Sequence, residues 1–73
     1  ADIDRLVKDL NHSDVRVRVA AVEELGRLGP DATAATAALF QAMLDPSRQV
    51  VTAARRALEQ VRPDLAGPVS TLL

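Results

Sequence analysis

The sequence predicts an all-α protein: an α-solenoid fragment of two helical hairpins, which make four helices, plus the first helix of a third repeat. The first observation behind this prediction is internal similarity, because residues 17–28 align with residues 50–61 at an offset of 33. The second is that apolar residues recur at helical spacing throughout the repeat. The third is that short turns containing Gly, Pro or Asp separate the helical segments, and no alternating strand pattern competes with them.

The offset of 33 residues divides the chain into repeats of one kind. Aligning residues 1–40 with residues 34–73 gives nine identities, and most of them fall on apolar helix faces or at the turn between repeats. This distribution indicates a structural repeat. Residues 1–73 are therefore predicted to form a single repeat domain, with repeat 1 at about 1–29, repeat 2 at about 30–62 and a partial repeat 3 at about 63–73.

The first hairpin is predicted from two apolar stripes. A helix over about residues 2–10 follows from apolar residues at i, i+3, i+4 and i+7, which are Ile3, Leu6, Val7 and Leu10. A second helix runs from about Asp14 to Leu28 and ends at Gly29, the residue type that favours a helix C-terminus. Its predicted core stripe consists of Val17, Ala21, Leu25 and Leu28, with Ala20 beside it.

The second hairpin repeats this pattern. A third helix is predicted over about residues 31–44, directly after Pro30, with a core stripe of Thr36, Leu39, Phe40 and Met43. Asp45 is predicted to cap the fourth helix, with Pro46 in its first turn. The fourth helix then extends to about Val61, and its predicted core stripe is Val50, Ala54, Ala57, Leu58 and Val61.

Composition excludes several classes of function. There is no Cys, which removes disulfides and thiolate metal sites and predicts a cytoplasmic location. The net charge of −1 argues against general binding to nucleic acids or anionic membranes. No apolar run approaches the roughly 18 residues of a membrane span. Both termini are of the kind expected for a segment of a longer protein.

No group of residues predicts catalysis, a cofactor or a metal site. His12 is the single histidine and has no companion His or Cys. The carboxylates are predicted on exposed faces, without the water-excluding surroundings that acid–base catalysis needs. Glu24, at the edge of a core stripe, is expected to pair with Arg27 or Arg18. We therefore expect neither an enzyme nor a cofactor-binding protein.

The second helix and the turns around it resemble HEAT-like repeats, particularly the short bacterial type shared with phycobilisome lyase subunits. The matching residues are Val17-Arg18-x-Ala20-Ala21-x-x-x-Leu25-Gly26-x-Leu28-Gly29-Pro30, and Leu44-Asp45-Pro46-Ser47 leading to Val50, Ala53, Ala54 and Leu58. The second unit departs from this pattern, with Val51 in place of the arginine and Glu59 in place of the glycine. The resemblance spans nearly the whole chain and implies a curved stack, with the second helix of each hairpin on the concave side.

The resemblance implies a protein-interaction scaffold or docking module within a larger protein, with another protein bound on the concave face. An accessory role like that of bilin lyase subunits is an alternative, although it would need Trp, Tyr, His or Cys residues that this chain almost lacks. Nucleic-acid binding through arginines of the fourth helix is another, although these arginines can equally pair with Glu59 on a solvated face. A third is a structural spacer with no binding role. The candidate partner-binding residues are Arg16, Val19, Glu23, Arg27, Gln49, Thr52, Arg55, Arg56 and Glu59.

One flank of the second helix is apolar where the fourth helix is polar or charged. Val15, Val19 and Val22 align with Arg48, Thr52 and Arg55. A solvated helix does not normally widen its apolar arc so far, so we predict that these valines pack against something. A preceding repeat, a partner protein or second copy, and local burial under the first helix are all open. The residues predicted to pack at the open repeat ends, or to mediate self-association there, are Val15, Val22, Val69, Leu72 and Leu73.

Overall fold

The computed structural model describes residues 2–65, and every regular element within that range is helical. The elements are α1 (Ile3–Asp9), α2 (Val15–Leu28), a 3-10 segment (Gly29–Ala35), α3 (Thr36–Ala42) and α4 (Arg48–Val61). The predicted all-α fold of two helical hairpins is confirmed. Apart from positions 63–65, the predicted first helix of a third repeat lies outside the described residues, together with Val69, Leu72 and Leu73.

Aspartate side chains define where the two helices of the first hairpin begin. Asp2 accepts a hydrogen bond from the backbone N–H of Arg5 at 3.3 Å, and Asp14 accepts one from the N–H of Arg16 at 2.9 Å. These bonds satisfy amide groups that lack a partner in the first turn, and they place a carboxylate at the positive end of the helix dipole.

The Asp14 cap is strengthened by the side chain of Arg16, whose hydrogen bond lowers the pKa of the Asp14 carboxyl below its ordinary value. The backbone hydrogen bond from Arg16 acts in the same direction. Because the pKa is lower in the folded chain than in the unfolded chain, the resulting stabilisation is complete above the ordinary carboxyl pKa. This stabilisation is lost as the pH falls through the pKa that Asp14 has in the folded chain.

The connection between the hairpins differs from the prediction, because it contains a 3-10 segment where a regular α-helix was expected. A helix was expected from about residue 31, but residues 29–35 form a 3-10 segment, and α3 begins only at Thr36. Ala32 has non-helical backbone angles inside this segment, and the Thr33 hydroxyl donates to the Pro30 carbonyl at 2.5 Å. Such side-chain bonds compete with regular helix hydrogen bonds, which explains the late start of α3.

Gly29 allows the chain to turn sharply at the C-terminal end of α2. Its φ of +60° lies in the left-handed region that side chains disfavour, so the predicted glycine helix end is confirmed.

The core contains the predicted stripe of α4 in full, because Val50, Ala54, Ala57, Leu58 and Val61 are all buried. The stripes of α2 and α3 are rotated from their predicted positions. In α2 the buried residues are Ala21, Val22, Leu25 and Gly26, whereas Val17 is only half-buried and Ala20 is exposed. In α3 the prediction for Phe40 is wrong, because its side chain is 50% exposed, while Leu39 and Ala42 are buried. The 3-10 turns that precede α3 shift the phase of its apolar face.

The start of α4 also differs from the prediction. The N-cap is Ser47 rather than Asp45, and the helix begins at Arg48 rather than at Pro46. Asp45 instead accepts a hydrogen bond from the Ser47 N–H at 2.8 Å, which forms a tight turn before the helix. Its other carboxylate contacts are to Arg18 of the first hairpin.

The second helices of the two hairpins, α2 and α4, lie side by side and run in the same direction. At their N-terminal ends, Arg18 of α2 meets Asp45, two residues before Ser47. Nearer their C-terminal ends, Gly26 of α2 lies against Ala57 of α4. A Cβ atom added to Gly26 would lie 3.2 Å from the Ala57 Cα and 2.6 Å from the Gln60 Oε1. The two helix backbones are therefore too close at this point for a side chain on α2 to fit without movement.

Replacing Gly26 with valine should lower the free energy of unfolding by about 1–3 kcal/mol, because its branched carbons must displace the α4 backbone. Alanine at the same position is the matched control. It should cost less, because the Gln60 side chain can move aside and alanine gains up to about 1 kcal/mol of helix propensity over glycine. Urea denaturation followed by circular dichroism measures both values. A valine variant as stable as the alanine variant would contradict this close helix contact.

Candidate functional site

The outer surfaces of α2 and α4 enclose an open groove, which we call the α2/α4 groove. It contains roughly 810 Å³ of solvent-accessible space, within the range of about 300–1,000 Å³ typical of ligand sites. On α4 the lining runs from Arg48 to Gln60, which corresponds to about 18 Å along the helix. Its lining residues are Arg16, Val19, Ala20, Glu23, Gly26, Arg27, Arg48, Gln49, Thr52, Ala53, Arg56, Ala57 and Gln60.

Most of the residues predicted to bind a partner line this groove. Arg55 and Glu59 do not line it, because they lie on the neighbouring arc of α4. The seven that do are Arg16, Val19, Glu23, Arg27, Gln49, Thr52 and Arg56. The structure places these seven residues around one groove, and their role in binding stays a prediction.

Two polar residues of the groove are absent from the predicted partner-binding set. Arg48 was considered only among the arginines of the fourth helix, and Gln60 was not considered. Arg48 precedes Thr52 by four residues and Gln60 follows Arg56 by four, so each lies one helical turn from a predicted residue. That spacing was the available signal. The exposed Ala20 and the half-buried Ala53 contribute an apolar floor that the sequence analysis had assigned to the core or its edge.

The arginines of the groove differ in their surroundings. Arg16 pairs with Asp14 at 3.2 Å, and Arg27 pairs with Glu24 at 3.1 Å, which confirms the expected Glu24 partner. Within residues 2–65, neither Arg48 nor Arg56 has a carboxylate within ion-pair distance, and both are exposed. Two arginines of the groove are therefore accessible to an external anion.

The pairing expected along the outer face of α4 is not formed. Arg55 and Glu59 were expected to neutralise each other, but none of the ion pairs between described residues includes either of them. Arg62 pairs with Asp64 at 2.8 Å instead of with Glu59. This contact lowers the pKa of the Asp64 carboxyl, through the hydrogen bond that Arg62 donates.

One ion pair fixes the N-terminal end of the groove. Arg18 and Asp45 have side chains that are only 16% and 11% exposed, and the Nη2 of Arg18 donates to the Asp45 Oδ1 at 3.4 Å. The Arg18 Nε lies 3.0 Å from Oδ2, but its N–H is not aimed at that oxygen, so this second contact is Coulombic. Arg18 also donates from Nη1 to the carbonyl of His12 at 2.6 Å. It thereby ties the α1–α2 turn to the α3–α4 turn.

The repeat alignment shows that neither residue of this ion pair is repeated at the equivalent position. At the 33-residue offset, Asp45 corresponds to His12, and Arg18 corresponds to Val51. His12 keeps part of the aspartate role, because its Nδ1 accepts the N–H of Asp14 at 2.9 Å, as Asp45 accepts the N–H of Ser47. His12 is exposed, and its described contacts are those of a turn residue.

The prediction that Val22 packs at an open end of the stack is wrong. Its side chain is completely buried within this chain, because α2 packs against α4 as well as against α1 and so needs a wide apolar arc. Local burial, one of the three explanations left open, therefore accounts for Val22. Val15 and Val19 are half-buried against the same core, and Val19 also lines the groove. Packing of Val15 against a further repeat or a second copy stays a prediction.

Neither a metal-binding cluster nor a membrane-spanning helix is found in the part of the chain that the structure describes. No three side chains of His, Cys, Asp or Glu gather there as a metal ion would require. None of the helices there has the length and apolar character needed to cross a membrane.

Two stacked helical hairpins, with their second helices parallel and in contact, define an α-helical repeat protein. A family model described as HEAT repeats matches residues 3–69, so the chain belongs to the HEAT repeat family. Searches of curated proteins and of solved structures found no significant match. HEAT repeats generally act as scaffolds for protein interaction. The narrower similarity to phycobilisome lyase subunits has no support from these comparisons.

Proposed function

We propose that this segment is a docking module that binds another protein on the α2/α4 groove and performs no catalysis of its own. The observation that carries the proposal is the groove itself, because its apolar floor at Ala20 and Ala53 is left uncovered between the two most extensively packed helices. Uncovered apolar surface rimmed by polar side chains is typical of protein-binding sites.

The rim of the groove has the polar groups that a protein partner would require. Gln49, Thr52 and Gln60 supply donors and acceptors, and the accessible arginines supply charge. Arginine is enriched at protein interfaces, where it combines charge with a long apolar stem.

Site-specific photo-cross-linking tests this function in the full-length protein inside its own cells. A benzoylphenylalanine at Thr52 lies in the groove, and one at Gln41 lies on the outer side of α3, so the two exposed positions form a matched pair. We expect a discrete cross-linked protein from Thr52 that is absent from Gln41.

Thr52→Trp should then weaken binding of the identified partner at least about tenfold, because the indole fills the groove. Gln41→Trp should leave that affinity unchanged. A partner that cross-links only from Gln41, or that binds the Thr52→Trp variant normally, would contradict the proposed docking face.

A further inference from the structure

The charge of the α2/α4 groove is opposite in sign to that of the chain. Four arginines and one glutamate line the groove, which gives the lining a net charge of +3. The whole chain has a net charge of −1, so the residues outside the lining carry a net charge of −4. Positive charge is therefore concentrated in this groove of an otherwise acidic chain, which is the arrangement that attracts an anionic partner selectively to the groove.

Two arginines carry most of this positive potential, because their charge is not offset by a neighbour. Arg16 and Arg27 have Asp14 and Glu24 as partners, whereas Arg48 and Arg56 have no ion-pair partner among residues 2–65. Eight residues separate Arg48 from Arg56 along α4, which corresponds to about 12 Å. An extended peptide that rises about 3.3 Å per residue would present carboxylates at this spacing from positions four residues apart.

The position of Arg48 is unfavourable for the helix that carries it. It is the first residue of α4, and the first turn of α4 contains no acidic residue. A positive side chain next to the positive end of a helix dipole costs about 0.3–1 kcal/mol relative to a favourable charge. Residues whose charge is locally unfavourable and not offset by a contact are expected at functional sites. This supports a role for Arg48 in binding an anion.

The floor of the groove favours a peptide over a nucleic acid. Val19, Ala20 and Ala53 are small apolar residues against which a peptide backbone and its methyl or methylene groups can pack. Single-stranded nucleic acids are usually held by stacking on aromatic side chains, and the only aromatic residue of the chain, Phe40, is not in the groove. The net charge of −4 on the remaining surface would also repel a long polyanion.

We propose that the α2/α4 groove binds an acidic peptide segment of the partner protein, with the guanidinium groups of Arg48 and Arg56 each gripping a carboxylate. Arginine and carboxylate form paired, charge-assisted hydrogen bonds, which provide both affinity and orientation. This inference rests on the proposed docking function and adds the chemistry of the partner to it.

The test uses fluorescein-labelled peptides of about ten residues, which at about 3.3 Å per residue cover the full length of the groove. One peptide alternates Glu with Ala, and the two comparison peptides alternate Gln or Lys with Ala. Fluorescence anisotropy with the full-length protein should show binding of the Glu–Ala peptide only. That binding should weaken as salt is raised from about 50 to about 500 mM, because exposed charges are screened.

The variant Arg48→Glu/Arg56→Glu should reduce the affinity for the Glu–Ala peptide at least about tenfold. Its fold is expected to persist, because glutamate in the first turn of a helix is favoured by the helix dipole. The matched control is Arg5→Glu/Lys8→Glu, which reverses two exposed positive charges on α1 and changes the net charge by the same amount. This control should retain binding within about twofold.

Several results would overturn the inference. These are equal binding of the Gln–Ala and Glu–Ala peptides, equal losses in both double variants, or the absence of any peptide binding. A short DNA duplex that binds more tightly than the peptide, with the same dependence on Arg48 and Arg56, would overturn it in favour of a nucleic acid. If Thr52 still cross-links to a protein in these cases, the docking function stands and only the acidic chemistry fails.

Discussion

Leu39→Ala should lower the free energy of unfolding by about 2–5 kcal/mol. Leu39 lies in α3, its side chain is completely buried, and it is one of the largest fully buried side chains of the described core. Removing its branched end leaves a cavity that neighbouring alanines are too small and too fixed to fill. A domain of 73 residues has a total stability of only about 4–11 kcal/mol, so this single change should remove a large fraction of it.

Leu44→Ala is the matched control for this prediction. It removes the same atoms from the residue two positions beyond α3, where the leucine side chain is 84% exposed. Its effect on the free energy of unfolding should stay within about 0.5 kcal/mol. Urea denaturation of both variants measures the difference. Similar losses for the two leucines would mean that α3 does not bury Leu39 as described.

Arg18→Met should cost about 3 kcal/mol, the low end for breaking a buried ion pair, because both partners keep slight access to water. The substitution retains an apolar stem of similar length but leaves the Asp45 carboxylate without its cation, between the two hairpins. It also removes the hydrogen bond from Nη1 to the His12 carbonyl. The connection between the two turns at the N-terminal end of the groove should therefore loosen.

Two companion variants separate this effect from a general loss of charge. Arg16→Met removes an ion pair whose arginine side chain is 88% exposed, so it should cost no more than about 1 kcal/mol. The double variant Arg18→Met/Asp45→Leu should recover part of the stability, because no uncompensated charge remains. If the double variant were as unstable as the sum of its single variants, the coupling between Arg18 and Asp45 would be disproved.

The elements that sequence predicted best are those with regular helical periodicity. The stripe of α4 is correct at each position because the apolar residues of this helix are concentrated on one face. The stripe of α2 could not be phased in the same way, because α2 packs on more than one side and apolar residues surround much of it. The phase of α3 depended on the 3-10 segment before it, which arises from hydrogen bonds of Thr33 and Thr36 that periodicity does not reveal.

The groove was predictable to the extent that the repeat offset sets the register of α2 against α4. That offset aligned Val19 with Thr52 and Glu23 with Arg56, and all four line the groove. Arg55 and Glu59 fell outside it because a fraction of a helical turn decides which side chains face a neighbouring helix. The contact between Arg18 and Asp45 joins residues 27 positions apart, and its signal was the loss of the corresponding residues at Val51 and His12.

The most direct test of the docking role is an NMR titration of the isotopically labelled chain with the partner captured from Thr52. Binding in the α2/α4 groove predicts that amide shifts change first and most at Val19, Thr52 and Arg56. Amides on the outer side of α3 around Phe40 should stay in place. Shifts confined to that outer side, with the groove unperturbed, would contradict the assignment of the α2/α4 groove as the docking surface.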